Sequence, residues 1–166
     1  MRRHAATAED TEAFGAQCAG ARPTADAALA VVYLAGELGA GKTTFARGFL
    51  RALGIAQAVR SPTYTLLELY PAGALTVVHL DLYRIADPIE LESLGLREWA
   101  RAHHLWLIEW PERGGARLPP PDLSLVFAVG DAGHDIAASA RSGLGERWLA
   151  ALEPPQPRKG ARAGGS

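Results

Sequence analysis

Ala30-Val31-Val32-Tyr33-Leu34-Ala35 and Leu105-Trp106-Leu107-Ile108 are unbroken apolar runs, the pattern of strands buried on both faces. Around them the period changes. Phe45, Phe49, Leu50 and Leu53 recur at helical spacing and Gly54 follows as a stop, which predicts a helix directly after Gly41. Thr7-Ala8-Glu9-Asp10 resembles a capping box, so a first helix should run to about Gly20 with Phe14 and Cys18 on its inner face. The segments 64–70 and 75–80 are rich in β-formers and flank Pro71-Ala72-Gly73-Ala74, a hairpin pattern. Asp87-Pro88-Ile89-Glu90 places Asp at the N-cap, Pro at the first helical position and Glu to close the box. Leu91 and Leu94 supply that helix's apolar side, Gly95 its end, and a further helical stretch surrounds Leu96 and Trp99. After a Gly- and Pro-rich loop over 112–121, Leu123, Leu125, Phe127 and Val129 alternate. So do Ile136, Ala138 and Ala140 beyond the Gly130–Gly133 turn, giving a second hairpin. Leu144, Trp148 and Leu152 mark a last helix.

Strands alternating with helices predict an α/β fold: one domain over residues 1–153, a mixed sheet with helices on both faces. From Pro154 the chain cannot bury apolar surface, and residues 154–166 are expected to be a disordered tail. The sequence shows no internal repeat. At 166 residues, 48% hydrophobic and 21% charged, it suits a single core. A net charge of −1 gives no global field toward nucleic acid, so RNA contact would need a local patch or a partner. The single cysteine, Cys18, rules out an intrachain disulfide. No apolar run approaches membrane-spanning length, and Met1-Arg2-Arg3-His4 leads into an acidic, helix-like segment instead of a signal-peptide core. The expected location is the cytoplasm, with no membrane contact.

The candidate chemistry sits between the first strand and the second helix. Gly36-Glu37-Leu38-Gly39-Ala40-Gly41-Lys42-Thr43 fits G-x-x-x-x-G-K-[ST], a phosphate-binding loop. Its glycines let the backbone curl with N–H groups aimed at phosphate oxygens; Lys42 would reach the β- and γ-phosphates and the Thr43 hydroxyl would hold Mg²⁺. Strand, loop and helix in that order place phosphate at a helix N-terminus, a context that a chance Gly-rich turn lacks. The domain is therefore expected to be a single P-loop NTPase domain.

Hydrolysis needs acids that manage Mg²⁺ and water, and two apolar runs end in one: Val77-Val78-His79-Leu80-Asp81 and Leu105-Trp106-Leu107-Ile108-Glu109. Either acid could serve as the Walker B carboxylate; the run before Glu109 is the more continuously apolar. The alternative for each is a solvated charge at a strand end. Ser61-Pro62-Thr63-Tyr64 occupies the interval where a switch threonine can report on the γ-phosphate, or forms a Pro-initiated turn. Arg84 could offset phosphate charge or pair with a carboxylate. His79 reads as a packing or hydrogen-bonding residue, since no second His or Cys has ligand spacing. His103 and His104 are expected to be solvated. Trp110 flanks the nucleotide or caps the core. The chain contains no asparagine, so it cannot carry the Asn-Lys-x-Asp element that reads guanine, and ATP is the expected nucleotide.

Taken together, the segment 36–44, Ser61-Pro62-Thr63-Tyr64, His79-Leu80-Asp81-Leu82-Tyr83-Arg84 and Ile108-Glu109-Trp110-Pro111 resemble the TsaE (formerly YjeE) family. These are the bacterial ATPases of tRNA threonylcarbamoyladenosine synthesis. The resemblance runs from about the first helix to Leu152. It implies an ATP-binding, Mg²⁺-dependent P-loop ATPase that works with the TsaD and TsaB proteins and reaches tRNA through their complex; because the chain shows no dedicated arginine finger, its hydrolysis alone is expected to be slow and to be stimulated by those partners. TsaD transfers the threonylcarbamoyl group; the TsaE-like subunit does not. Carried over by position, the loop from Gly36 to Thr44 binds triphosphate, Thr43 and Glu109 hold Mg²⁺, and Asp81 is the acid needed for hydrolysis, with Thr63 beside it in the catalytic set. Thr11 matches a threonine near the nucleotide. Relatives are expected to have an arginine where His134 stands, so a nucleotide contact there would use a shorter, pH-sensitive side chain or be absent. Two other readings remain: a small-molecule P-loop kinase, with Arg113 and Arg117 in a lid over 111–120, and a non-hydrolysing nucleotide-dependent binding module.

Overall fold

The computed structural model describes residues 1–24, 28–59 and 61–153; the tail expected to be disordered, 154–166, lies outside them. The strands are β1 (Arg2–Ala5), β2 (Ala30–Gly36), β3 (Leu67–Ala72), β4 (Leu75–Asp81), β5 (His104–Glu109), β6 (Leu123–Gly130) and β7 (Gly133–Ala140). The α-helices are α1 (Ala8–Gly20), α2 (Lys42–Ala52) and α3 (Gly143–Leu152), with short 3-10 helices at Pro88–Leu94, Leu96–Trp99, Pro111–Arg113 and Gly115–Arg117. The strands form one sheet in the order β1-β7-β6-β2-β5-β4-β3. Its centre, β6-β2-β5-β4, is parallel. β3 is added antiparallel at one edge, β7 and then β1 at the other.

Alternation along the strands sorts the core into two layers. Val32 and Leu34 of β2, Leu105 and Leu107 of β5 and Val77 of β4 meet Phe14, Phe45, Phe49 and Trp148 from the α-helices. Val31, Val78, Leu80, Trp106 and Ile108 face the other way, under Leu91 and Leu96. The expected mixed α/β sheet with helices on both faces is therefore present, the α-helices on one side and 3-10 helices on the other. The Asp87 capping box forms as its sequence predicts, with Asp87 accepting from Ile89 and Glu90 reaching back to the cap, but the turns it starts are 3-10.

α1 lies unusually close on α2. A Cβ at Gly15 would come within 2.2 Å of the Phe45 carbonyl oxygen, and one at Gly48 within 2.0 Å of that of Glu12. Glu12 closes the contact by pairing with Arg47 at 2.6 Å and Arg51 at 2.7 Å. Since α2 begins with Lys42 and Thr43, this packing fixes the direction in which the phosphate loop opens.

Three local expectations change. Residues 2–5 do not lead straight into a helix; they form β1, paired with Ala137 to His134 of β7, a four-residue edge strand too short and polar to show a period. The run from Tyr64 becomes strand only at Leu67, because residues 61–66 curl back through a Leu66 N–H to Pro62 carbonyl bond of 2.6 Å, with Leu66 at φ 63°. His104 is buried instead of solvated: it opens β5, its Nδ1 lies 2.9 Å from the Ala102 carbonyl, and its ring lies 6.1 Å from that of Trp99. His103 is exposed as expected. Among the described residues no helix is long and apolar enough to cross a membrane.

Candidate nucleotide site

β2 ends at Gly36 and α2 starts at Lys42, so the glycine loop bridges a strand C-terminus and a helix N-terminus. Gly36 (φ 137°) and Gly41 (φ 101°) take conformations that a side chain resists. At Gly36 space also forbids one, since a Cβ would lie 2.2 Å from the Phe127 carbonyl oxygen on β6. No side chain caps α2, which leaves the N–H groups of its first turn for an anion.

The Lys42 ammonium is folded onto its own loop. Nζ donates to the carbonyl oxygens of Gly36 and Glu37, both at 2.7 Å, and lies 4.0 Å from the centroid of the Trp110 ring. Burial pushes its pKa below the ordinary lysine value, and the charges of Glu109, Glu112 and Asp81 push it partly back. Trp110 holds this position from a left-handed backbone conformation (φ 60°), its N–H on the Leu34 carbonyl at 3.2 Å and its ring 5.0 Å from Tyr83.

Asp81 and Glu109 are paired positions at the C-terminal ends of neighbouring parallel strands, where an open α/β sheet gathers its ligand contacts. Both are buried, yet their partners differ. Glu109 accepts from the Thr43 hydroxyl, 2.9 Å from Oε2 and 3.1 Å from Oε1, and from His79 Nε2, 2.9 Å from Oε1. Asp81 Oδ2 accepts from Ser61 Oγ and from Thr63 Oγ1 at 3.2 Å, while Oδ1 accepts the Tyr83 N–H at 2.9 Å. The Ser61 and Thr63 hydroxyls are themselves 2.7 Å apart.

A cavity of about 310 Å³ joins these groups. Leu38, Gly39, Gly41, Lys42, Thr43, Thr44, Thr63, Asp81, Glu109 and His134 all line it, as do Ser61, Tyr83 and Trp110. Gly36 and Glu37 contribute the carbonyls that hold Lys42, and Ala40 is buried in the turn. Thr11 is also buried: its hydroxyl donates to the Thr7 carbonyl at 3.3 Å and its methyl backs Gly41 beside the His134 ring. Ala8, one turn earlier, is the α1 residue that lines the cavity. The His134 Nδ1 is buried without a partner, brought there by the pairing of β7 with Ala5.

The hydroxyl of Thr43 and the carboxylate of Glu109 are hard oxygen donors side by side on the cavity wall. They fit Mg²⁺, which takes one or two protein oxygens and keeps the rest of its shell for water and phosphate. Arg84 is spent elsewhere, its guanidinium 4.2 Å over the exposed Tyr64 ring. Arg113 donates to the Ile85 carbonyl at 3.4 Å and Arg117 pairs with Glu92 at 3.3 Å. Ser61 and Tyr83 line the cavity without having been singled out in the sequence, whereas Trp110, read as flanking the nucleotide or capping the core, lines it with its ring against the lysine. The signal for Ser61 was its place in the Ser-Pro-Thr-Tyr segment; for Trp110 nothing in the sequence shows that its ring lies under the lysine.

A strand–loop–helix whose lysine, threonine and two acids line one cavity defines a P-loop nucleoside-triphosphate-binding protein. Residues 5–136 match the family described as Threonylcarbamoyl adenosine biosynthesis protein TsaE, and the chain belongs to the TsaE family. It is 43% identical over 122 residues to the tRNA threonylcarbamoyladenosine biosynthesis protein TsaE of Haemophilus influenzae, covering 74% of this chain and 77% of that one. The protein of the same name from Bacillus subtilis is 40% identical over 119 residues, covering 71% and 72%. The crystal structure of Bacillus subtilis YdiB matches with a TM-score of 0.75 at 31% identity, over 92% of this chain and 93% of that one.

Proposed function

We propose that this chain is a Mg²⁺-dependent ATPase subunit of tRNA threonylcarbamoyladenosine biosynthesis, acting with the TsaD and TsaB proteins. Its family membership supports the pathway. The observation that carries the chemistry is the convergence of Lys42, Thr43, Glu109 and Asp81 on one cavity. Residues 1–153 form the ATPase domain in this reading, and the cytoplasm is its place of work. The phosphate loop from Gly36 to Thr44 wraps the triphosphate, with Lys42 exchanging two loop carbonyls for phosphate oxygens. Thr43 and Glu109 would hold Mg²⁺, which would supply charge neutralisation on the triphosphate. Asp81, held in place by three donors, orients the attacking water; Thr63, already bonded to it, reports on the γ-phosphate. His134 and Thr11 support the loop at Gly41, His134 from the cavity wall.

Among the described residues no arginine lines the cavity. Transition-state charge on the phosphoryl group then lacks the cation that an arginine finger supplies, and a partner is the natural source of what is missing. Slow turnover alone and stimulation by TsaD and TsaB follow, with tRNA reached through the partners. The kinase reading loses its lid, because Arg113 and Arg117 hold the Ile85 carbonyl and Glu92. The test is phosphate release from ATP and Mg²⁺, with and without purified TsaD and TsaB. Stimulated release is expected; phosphate on an added acceptor, or no release with both partners present, would refute the assignment.

A further inference from the structure

We infer that His79 is a positioning residue that fixes the carboxylate of Glu109, so that its second oxygen is presented to Thr43 and to the metal. The inference rests on the proposed role of Glu109 in binding Mg²⁺.

The sequence places His79 on the face of β4 that also carries Val77 and Asp81. The register pairs His79 with Leu107 and Asp81 with Glu109, so the Glu109 side chain leans back one row to reach the imidazole. His79 is fully buried, where a polar ring is costly unless it is bonded. It makes a single hydrogen bond: Nε2 to Glu109 Oε1 at 2.9 Å. Its Nδ1 is buried without a partner, and its ring packs beside Tyr70 at 6.4 Å between centroids. A side chain serving only to fill this space would be aliphatic; the polarity at position 79 serves Glu109 alone. A carboxylate oxygen can only accept, so Nε2 carries the proton that it donates.

The consequence lies in how two adjacent acids are kept apart. Asp81 and Glu109 occupy paired positions on neighbouring strands, yet they share no donor. Ser61, Thr63 and the Tyr83 N–H hold Asp81; His79 and Thr43 hold Glu109. Without His79 the glutamate keeps only the hydroxyl that must itself face the metal, and its carboxylate is free to turn. Groups that orient a metal-bound carboxylate typically govern metal affinity by about 10- to 100-fold.

The test uses the full chain with His79→Leu, His79→Asn and His79→Gln, titrating ATP at stepped Mg²⁺ concentrations and again in chelator. Leu cannot donate, and Asn, which puts its amide near the Nδ1 position, falls short of Glu109. Both should raise the Mg²⁺ needed for half-maximal ATP binding by about tenfold or more and leave ATP binding in chelator unchanged. Gln carries its amide to the Nε2 position and should return the requirement toward that of the unmodified chain. Should Leu misfold, the polar pair Asn and Gln gives the same contrast. An unchanged Mg²⁺ requirement in Asn, or Gln as impaired as Asn, would overturn the inference. An unmodified chain whose ATP binding ignores Mg²⁺ marks the distinct failure of the Glu109 metal assignment, and removes the basis of this role with it.

Discussion

Replacing Lys42 by methionine separates what the ammonium does for the ligand from what it does for the fold. The stem of Lys42 is packed in the loop, and Met is similar in length and suited to the face of Trp110. Only the charge and its donors are lost. In the structure they bind the Gly36 and Glu37 carbonyls at 2.7 Å, and burial disfavours the charged form. These effects oppose each other, so the variant should melt within about 4 °C of the unmodified chain, the shift expected for about 1 kcal/mol in a domain of this size. For the ligand there is no such compensation. Truncating one side of a buried charge pair costs about 2–5 kcal/mol, which at 1.4 kcal/mol per tenfold weakens ATP binding by roughly 30- to 4,000-fold. Calorimetric titration with ATP and Mg²⁺, beside a thermal melt of the free protein, measures both. A variant that folds normally and binds ATP within tenfold of the unmodified chain would show that Lys42 does not face phosphate.

The two strand-end acids should fail in different ways. Asp81→Ala should bind ATP normally and lose about 10²- to 10⁴-fold in partner-stimulated hydrolysis, the range for a positioned acid or base, whereas Glu109→Ala should weaken ATP binding only when Mg²⁺ is present. Normal stimulated phosphate release by Asp81→Ala would refute its role. Cys18 supplies a pH prediction: burial pushes its thiol up to about 12 from 9.0. Because the folded state favours the neutral thiol, the stability it contributes is complete below pH 9.0 and is lost as pH rises toward about 12. Cys18 is fully buried and its raised pKa keeps the thiol neutral near pH 8, so a disulfide reagent should react only after denaturant is added, and Cys18→Ala should flatten the alkaline loss expected in urea melts.

What could be read from the chain divides along physical lines. The phosphate loop was legible because its glycines, lysine and threonine are each demanded by backbone geometry or charge. The buried strands at Ala30 and Leu105 were legible because a strand covered on both faces leaves an unbroken apolar run. The two acids were visible only as the ends of such runs; that they are neighbours follows from strand order, which places β5 between β2 and β4 and which no local pattern encodes. β1 escaped notice because three of its four residues are exposed and polar, and its reason to be a strand lies in β7. His104 was misjudged for a related cause: burial there is set by Trp99 and the strand it opens, not by its polar neighbours.

The state of rest in this site also bears on how it would work. Buried charges without partners are costly, and here each has one before any nucleotide arrives: Lys42 holds loop carbonyls, Glu109 holds Thr43 and His79, Asp81 holds Ser61 and Thr63. On the proposed reading, ATP and Mg²⁺ bind by exchange. Lys42 would give up its loop carbonyls for phosphate, and Thr43 and Glu109, now bonded to each other, are the two groups that would hold the metal. The phosphates do not displace the Asp81 set: Asp81 keeps its bonds through binding, and Thr63, bonded to it, lines the same cavity toward the γ-phosphate. That difference is why loss of Glu109 should appear in affinity and loss of Asp81 in rate. On the same reading it locates the step that a partner can accelerate: Ser61 and Thr63 lie in the turn segment just before β3, and a protein that docks on this segment acts on the donors around Asp81. Thr63→Ala should accordingly lower the partner-stimulated rate while leaving ATP affinity and the unstimulated rate nearly unchanged; an equal loss with and without partners would place the partner's action elsewhere in the site.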